Sequence, residues 1–279
     1  MKSLMVQGTT SGAGKTILVA ALCRIFSDKG YRVAPFKSQN MSNFEYHGDD
    51  FEISRAQAIQ AIGARCEITS DLNPILLKPV GNYHSKVYVN GKYFKKMHAR
   101  DYYEKFALTR GLDTATQSLS KLKKRYDLVI LEGAGSPAEI NLQKYDIANM
   151  AMAQKAKASV VLVSDIDRGG SFASLIGTMA LIQKKYQKYV QGLIFNKFRG
   201  DLDVLKPGFV KLRRITKIPV LGTIPMIPIN LPEEDSLDGH SRKIKWNPKT
   251  LSKIDNEISN LSKTVMESLN IKYLEKMIK

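Results

Sequence analysis

A chain of 279 residues, 43% hydrophobic and 25% charged, has room for a sizeable core in one large domain or two small ones. No run of about 18 apolar residues occurs, which excludes a transmembrane helix, and the short apolar start runs straight into a glycine loop rather than a signal-peptide pattern. The 43 Lys and Arg outnumber the 26 Asp and Glu, a net of +17, but no basic block exceeds Lys123-Lys124-Arg125 and aromatics are not interleaved with basic residues. Nucleic acid and membrane are therefore set aside in favour of solvated helix faces and an anionic substrate.

Residues 4–6 read as a short strand ending at Gly8. The spacing of Ile17, Leu18, Ala21, Leu22 and Ile25 predicts a helix over 15–29, stopped by Gly30. Residues 32–36 read as a strand, 53–66 as an alanine-rich helix, and 74–78 as another strand. Residues 87–94 read as a hairpin, because Asn90-Gly91 suits the two positive-φ positions of a type I′ turn. Apolar strands follow at 128–131, 159–163, 192–195 and 220–224, separated by helices near 101–125, 146–156 and 172–188. Continuous apolar strands of this kind belong in a parallel sheet covered on both faces. The predicted fold is α/β, a doubly wound, mostly parallel sheet over residues 1–231 with helices on both faces.

From Pro232 the texture turns polar, and 232–250 reads as a linker. Residues 251–279 form a helical tail whose stripe of Leu251, Ile254, Ile258, Leu261, Val265 and Leu269 docks on its own domain or on a partner. Asp255, Glu257 and Glu267 weigh against a membrane-surface helix. Cys23 and Cys66 lie in apolar helical contexts, as buried thiols of a reducing cytoplasm do. His47, His84, His98 and His240 show no metal-ligand spacing.

Gly8-Thr9-Thr10-Ser11-Gly12-Ala13-Gly14-Lys15-Thr16 follows the first strand and opens the first helix, the context of a phosphate-binding loop. The strict pattern wants glycine where Thr9 stands, so the loop is a variant with Gly8 one residue early. Residues Thr10 to Thr16 are expected to cradle ATP, with Lys15 on the β- and γ-oxygens and Thr16 on Mg²⁺. Glu132, at the end of an apolar strand, is placed to complete the metal site, and Glu52 or Asp50 is a candidate second acid. Either of the last two serves equally well as a helix N-terminal charge. Asn196-Lys197, after the fifth strand, is where a base is read; Arg199 stands where a guanine-reading Asp would, so adenine is expected.

The sequence resembles the synthetase domain of cobyric acid synthases. The phosphate loop carries the likeness, with Ala34-Pro35-Phe36-Lys37-Ser38-Gln39-Asn40-Met41-Ser42, Arg55-Ala56-Gln57-Ala58 and Asn73-Pro74-Ile75-Leu76-Leu77-Lys78-Pro79. So do Glu132-Gly133-Ala134-Gly135-Ser136-Pro137-Ala138-Glu139-Ile140-Asn141-Leu142, Asp146-Ile147-Ala148-Asn149-Met150, Asp165-Ile166-Asp167-Arg168-Gly169-Gly170, Asn196-Lys197-Phe198-Arg199-Gly200-Asp201 and Leu231-Pro232-Glu233-Glu234-Asp235-Ser236. The resemblance implies a P-loop NTPase of the dethiobiotin-synthetase-like type that amidates peripheral carboxylates of a corrin ring in cobalamin biosynthesis, through an acyl phosphate and ammonia. It implies Lys15, Lys37 and Glu132 as catalytic residues, Lys37 bridging γ-phosphate and substrate carboxylate. It places Gln39, Asn40, Ser136, Glu139, Asn141, Asp167 and Arg168 on the corrinoid substrate, at strand C-terminal ends.

The family normally continues into a glutaminase domain, and neither cysteine here has the strand–helix setting of its nucleophile. The closing helical stretch resembles the end of full-length members, which implies an excised glutaminase. A separate glutaminase subunit, docked on the tail's stripe, and self-association into a homo-oligomer are the partners left open. Two other readings compete: a partition or septum-positioning ATPase, whose extra loop lysine is replaced here by Thr10, and a nucleotide-binding scaffold without turnover.

Overall fold

The apolar run Leu4-Met5-Val6, buried on both faces, starts the protein's central layer. The computed structural model describes residues 2–232 and 244–279. The middle of the expected linker, His240 and the Glu233–Ser236 part of the last matched segment lie outside the described residues.

In chain order, β1 (Lys2–Gly8) passes through the phosphate loop into α1 (Lys15–Asp28) and then β2 (Val33–Phe36). Next come β3 (Gln39–Met41), the pair β4 (Glu45–His47) and β5 (Glu52–Ser54), α2 (Arg55–Ala64) and β6 (Ile75–Pro79). The expected hairpin is β7 (His84–Val89) with β8 (Lys92–His98); Asn90 and Gly91 turn it with φ of 48° and 78°. One turn, α3 (Ala99–Asp101), a π-helical stretch over Tyr102–Gly111 and α4 (Leu112–Arg125) lead to β9 (Leu128–Glu132). Then follow α5 (Met150–Ala156), β10 (Ser159–Asp165), α6 (Ser171–Leu181), α7 (Lys184–Gln187), β11 (Val190–Phe198), α8 (Leu202–Thr216) and β12 (Val220–Pro225). The tail is α9 (Pro248–Ser268) and α10 (Ile271–Met277).

Six strands form one sheet in the order β12-β11-β10-β1-β9-β2, every pairing parallel. Strand alternation divides its side chains between two cores. Leu4 and Val6 face α1 and the tail helices, whereas Met5, Val129 and Leu131 face the layer containing α4, α5 and α6. This is the doubly wound architecture expected from the apolar strands.

One strand departs from that expectation. β6 does not join the parallel sheet; it forms a second sheet, β3-β6-β7-β8, parallel to β3 and antiparallel to β7. Its Ile75 and Leu77 pack with Val87, Met97, Tyr102 and Phe106 in a separate small core. Only one of its faces needs apolar cover, so its last residues can be Lys78 and Pro79, each half-buried.

The tail's stripe is used internally, which corrects the idea of that stripe as a glutaminase dock. Ile254 and Ile258 pack on Ile59 of α2, and Leu261, Val265 and Leu274 complete the core beneath α1. A buried cation ties the three helices. Arg24 of α1, fully buried, donates through Nε to Gly63 O (3.0 Å), through Nη1 to Ser259 Oγ (2.6 Å), through Nη2 to Ile62 O (3.1 Å) and, in an ion pair, to Asp255 of α9.

Candidate nucleotide and phosphoryl-transfer site

β1 ends in the sheet's centre, so its loop sits between those of β9 and β10, where ligands of open α/β sheets bind. The loop folds back over its own strand. A Cβ on Gly8 would lie 2.8 Å from Thr10 O and 3.0 Å from Lys15 Nζ, so Gly8 supplies the close approach for which the strict pattern uses the next position. Thr9 is instead buried, its hydroxyl donating to Ser164 Oγ at 3.1 Å. Lys15 curls over the loop, and its Nζ donates to the carbonyls of Thr10 (2.8 Å), Ser11 (3.1 Å) and Gly135 (3.1 Å).

Glu132 ends β9 with its side chain 1% exposed. A carboxylate so desolvated needs partners on both oxygens. Oε1 accepts from Thr16 Oγ1 and from Lys37 Nζ, each at 2.8 Å; Oε2 accepts from Gln60 Nε2 at 2.6 Å, with Gln57 Nε2 at 3.5 Å. Thr16 and Lys37 thus meet on one carboxylate oxygen of Glu132, so these three of the site residues expected from the sequence are brought together. The two glutamines were not singled out there. Their signal was two amides at i and i+3 on one buried face of an otherwise alanine- and isoleucine-rich helix.

Glu52 and Asp50 do not reach this point. Glu52 lies on β5, where its carboxylate is paired with Lys78 and lies 3.6 Å from His47 Nδ1; Asp50 pairs at 3.5 Å with Lys92 on the surface. Lysines of the second sheet, Lys78 on β6 and Lys92 on β8, claim both acids, which corrects Glu52 as a metal ligand. Among the described residues no cluster of three His, Cys, Asp or Glu side chains could hold a metal.

Two cavities open here. One of about 700 Å³ is lined by the phosphate loop, Lys37, Glu132 and the Gln39–Asn43 segment. A second, of about 350 Å³, runs under the loop after β9 and is lined by Ser136, Glu139, Tyr103, Tyr145 and Asn149 among others. Ser11, Gln39, Met41, Ala134 and Gly135 line both. Asn40 borders the first, but its amide is bound to Ser54 Oγ (2.7 Å) and Gln57 Oε1 (3.3 Å).

Asn141, Asp167 and Arg168 are not brought to the second cavity with Ser136 and Glu139. Asn141 is exposed and lines neither space. Asp167 and Arg168 follow β10, on the other side of β1; Asp167 pairs with Arg199 Nε at 3.0 Å, and Arg168 lies over Gly12. Asn196 and Lys197 brace the phosphate loop from that side. Asn196 Nδ2 donates to Ala13 O (2.9 Å), and Lys197 Nζ to Gly12 O (2.7 Å) and to Asp165 Oδ2 (2.8 Å). Beside them Ile17, Ile224, Met226, Ile227, Leu261 and Val265 wall an apolar slot of about 100 Å³. The contribution of α9 to this slot has no local signature in the sequence.

Residues 4–236 match the family described as CbiA, the CobQ/CobB/MinD/ParA nucleotide binding domain. The chain is 54% identical over 239 residues to a probable cobyric acid synthase of Thermococcus kodakarensis, a match covering 85% of this chain and 49% of the relative. It is 51% identical over 238 residues to a cobyric acid synthase of Dehalococcoides mccartyi, covering 85% and 47%. The chain therefore spans about half the length of the curated relatives it matches. Among solved structures it is similar to the MinD cell division protein of Aquifex aeolicus, 13% identical, covering 96% of this chain and 98% of that one, with a TM-score of 0.45. With its parallel sheet, its phosphate loop between β1 and α1 and a match over most of its length, the chain belongs to the CobQ/CobB/MinD/ParA nucleotide-binding domain family.

Proposed function

We propose that the chain is an ATP-dependent carboxylate–amide ligase that converts adenosylcobyrinic acid a,c-diamide to cobyric acid by amidating peripheral carboxylates of the corrin ring. The observation that carries this reading is the junction of the two cavities, where Lys15, Gln39 and Gly135 stand between phosphate-binding space and a second cleft. A carboxylate held in the second cleft can attack the γ-phosphorus there; the bond to the bridging oxygen breaks and ADP leaves. Ammonia then attacks the acyl carbon, the nitrogen loses a proton and phosphate departs. Such transfer asks the protein mainly for positioning and charge neutralisation. Lys15 exchanges its three carbonyls for phosphate oxygens. Lys37, held on Glu132, lies where γ-phosphate and substrate carboxylate would meet.

The hydroxyl of Thr16 and the carboxylate of Glu132 are hard oxygen donors on the wall of the phosphate cavity, a set that fits Mg²⁺. When bound, Mg²⁺ supplies further neutralisation of the β- and γ-phosphate oxygens. Gln57 and Gln60 keep the other carboxylate oxygen turned away from that wall.

The apolar slot beside Asn196 takes the base, and adenine is favoured because Arg199, bound to Asp167, offers the guanine edge no carboxylate. ATP is expected to bind at least 10-fold more tightly than GTP, on the order of one lost charged hydrogen bond. Equal affinities in a calorimetric titration would reject that assignment. The amidation itself is tested by mass spectrometry of the corrinoid, supplied with ATP, Mg²⁺ and ammonium, reading about one mass unit lost per amide formed.

Glutamine is not expected to replace ammonium. Burial holds the Cys23 thiol well above its usual range and pushes Cys66 up to about 12, so neither is a thiolate at neutral pH. Free glutamate appearing from glutamine with the purified chain would contradict this. Slow modification of both thiols by a disulfide reagent at pH 8, made fast by denaturant, is the accompanying check.

A further inference from the structure

Gln39 stands two residues after Lys37 and lines both cavities. Its Oε1 accepts a hydrogen bond of 2.7 Å from the hydroxyl of Tyr102. Tyr102 opens the π-helical stretch, is 3% exposed, and is wedged between Tyr103 and Phe106, with ring centroids 5.3 and 5.5 Å away. Among the described residues its hydroxyl has no acceptor other than Gln39. Burial raises the Tyr102 pKa far above the usual phenol value, so the proton stays on oxygen across the working range.

A buried phenol must place its proton somewhere, and here the choice fixes the amide. With Oε1 anchored, the Nε2 hydrogens of Gln39 are directed away from Tyr102. A rigid side chain on the small core of the second sheet thereby sets the orientation of a half-buried one at the cavity junction.

We infer that Tyr102 is a positioning residue that aims the Gln39 amide N–H groups at the substrate carboxylate, holding the oxygen that is not phosphorylated. The inference rests on the amidation reading, since it assigns the second cleft to a carboxylate. Two N–H donors suit an anion whose second oxygen must stay free to attack, where another lysine would bind it at the expense of its nucleophilicity. Tyr103 and Tyr145, 5.9 Å apart on the wall of the same cleft, give a flat conjugated ring an aromatic surface to lie against.

The test is direct binding of adenosylcobyrinic acid a,c-diamide, followed by its visible absorbance, in the presence of the β,γ-imido analogue of ATP and Mg²⁺. Tyr102→Phe is expected to weaken corrinoid binding about 10-fold, as loss of one aligned hydrogen bond to a charged group does, and to leave the affinity for the ATP analogue unchanged. Gln39→Met should weaken corrinoid binding as much, and the double variant should be no weaker than either single one, because each change alone already frees or removes the amide. If Tyr102→Phe fails to fold, Gln39→Met carries the comparison by itself. Wild-type corrinoid affinity in the variants, or additive losses in the double variant, overturns the inference and leaves the amidation reading standing. A wild-type chain that binds no corrinoid overturns both.

Discussion

Lys15→Ala is expected to lower ATP-dependent turnover by about 10²–10³-fold or more while the chain stays folded. Its ammonium group donates to the carbonyls of Thr10, Ser11 and Gly135, two of which line the phosphate cavity, where water can take its place. What is lost is a cation that moves onto the phosphate oxygens as charge develops there. Glu132→Ala should match this loss in rate and differ in stability, because it leaves the Lys37 ammonium buried without its carboxylate. Single-turnover rates with ATP and ammonium, read beside thermal unfolding of each variant, separate the two. Near-normal turnover in the Lys15 variant would remove the phosphate-transfer site from this loop.

Arg24→Ala is the change expected to cost most in stability, ~3–5 kcal/mol, from an emptied volume plus carbonyls left without a donor. Asp255→Asn should cost much less, because its carboxylate side chain is 44% exposed and water can replace part of the pair. The effect reaches the site. Arg24 fastens α9 to α1, and α9 supplies Leu261 and Val265 to the slot beside Asn196. Urea unfolding midpoints and ATP affinity should therefore fall together for Arg24→Ala. A variant with wild-type midpoint would show that the buried pair is replaceable.

The parts of the fold legible in the sequence were those whose cause is local. β9 and β10 announce themselves as apolar runs because both of their faces are covered, and Gly14-Lys15-Thr16 announces the phosphate loop because the chemistry needs those types in succession. β6 misled because a short apolar run cannot say which sheet it joins; β7, its antiparallel partner, decides that. Glu52 misled for a related reason. An acid near a helix start looks available until a lysine of a neighbouring sheet, Lys78, is known to hold it. Arg24, alone within an apolar helix, was a visible anomaly whose explanation, Asp255, lies 231 residues further on. Asp167 and Arg168 follow a strand end as Ser136 does, but from β10 rather than β9, and only the sheet order separates the two sides.

The position of β1 bears on how the protein comes into being. It is flanked by β9 and β10, which follow it far along the chain, so the strand that carries the phosphate loop has no lasting partner while the intervening segments are being made. A ribosome must release most of the sheet before the loop can be braced by Asn196 and Lys197, and α9 must emerge before the slot has its far wall. Pairings this distant close slowly and expose apolar edges meanwhile. Closure of the slot is thus a late event in this protein's assembly, and a nascent chain halted within α8 would carry the whole phosphate-binding motif without the α9 wall of that slot.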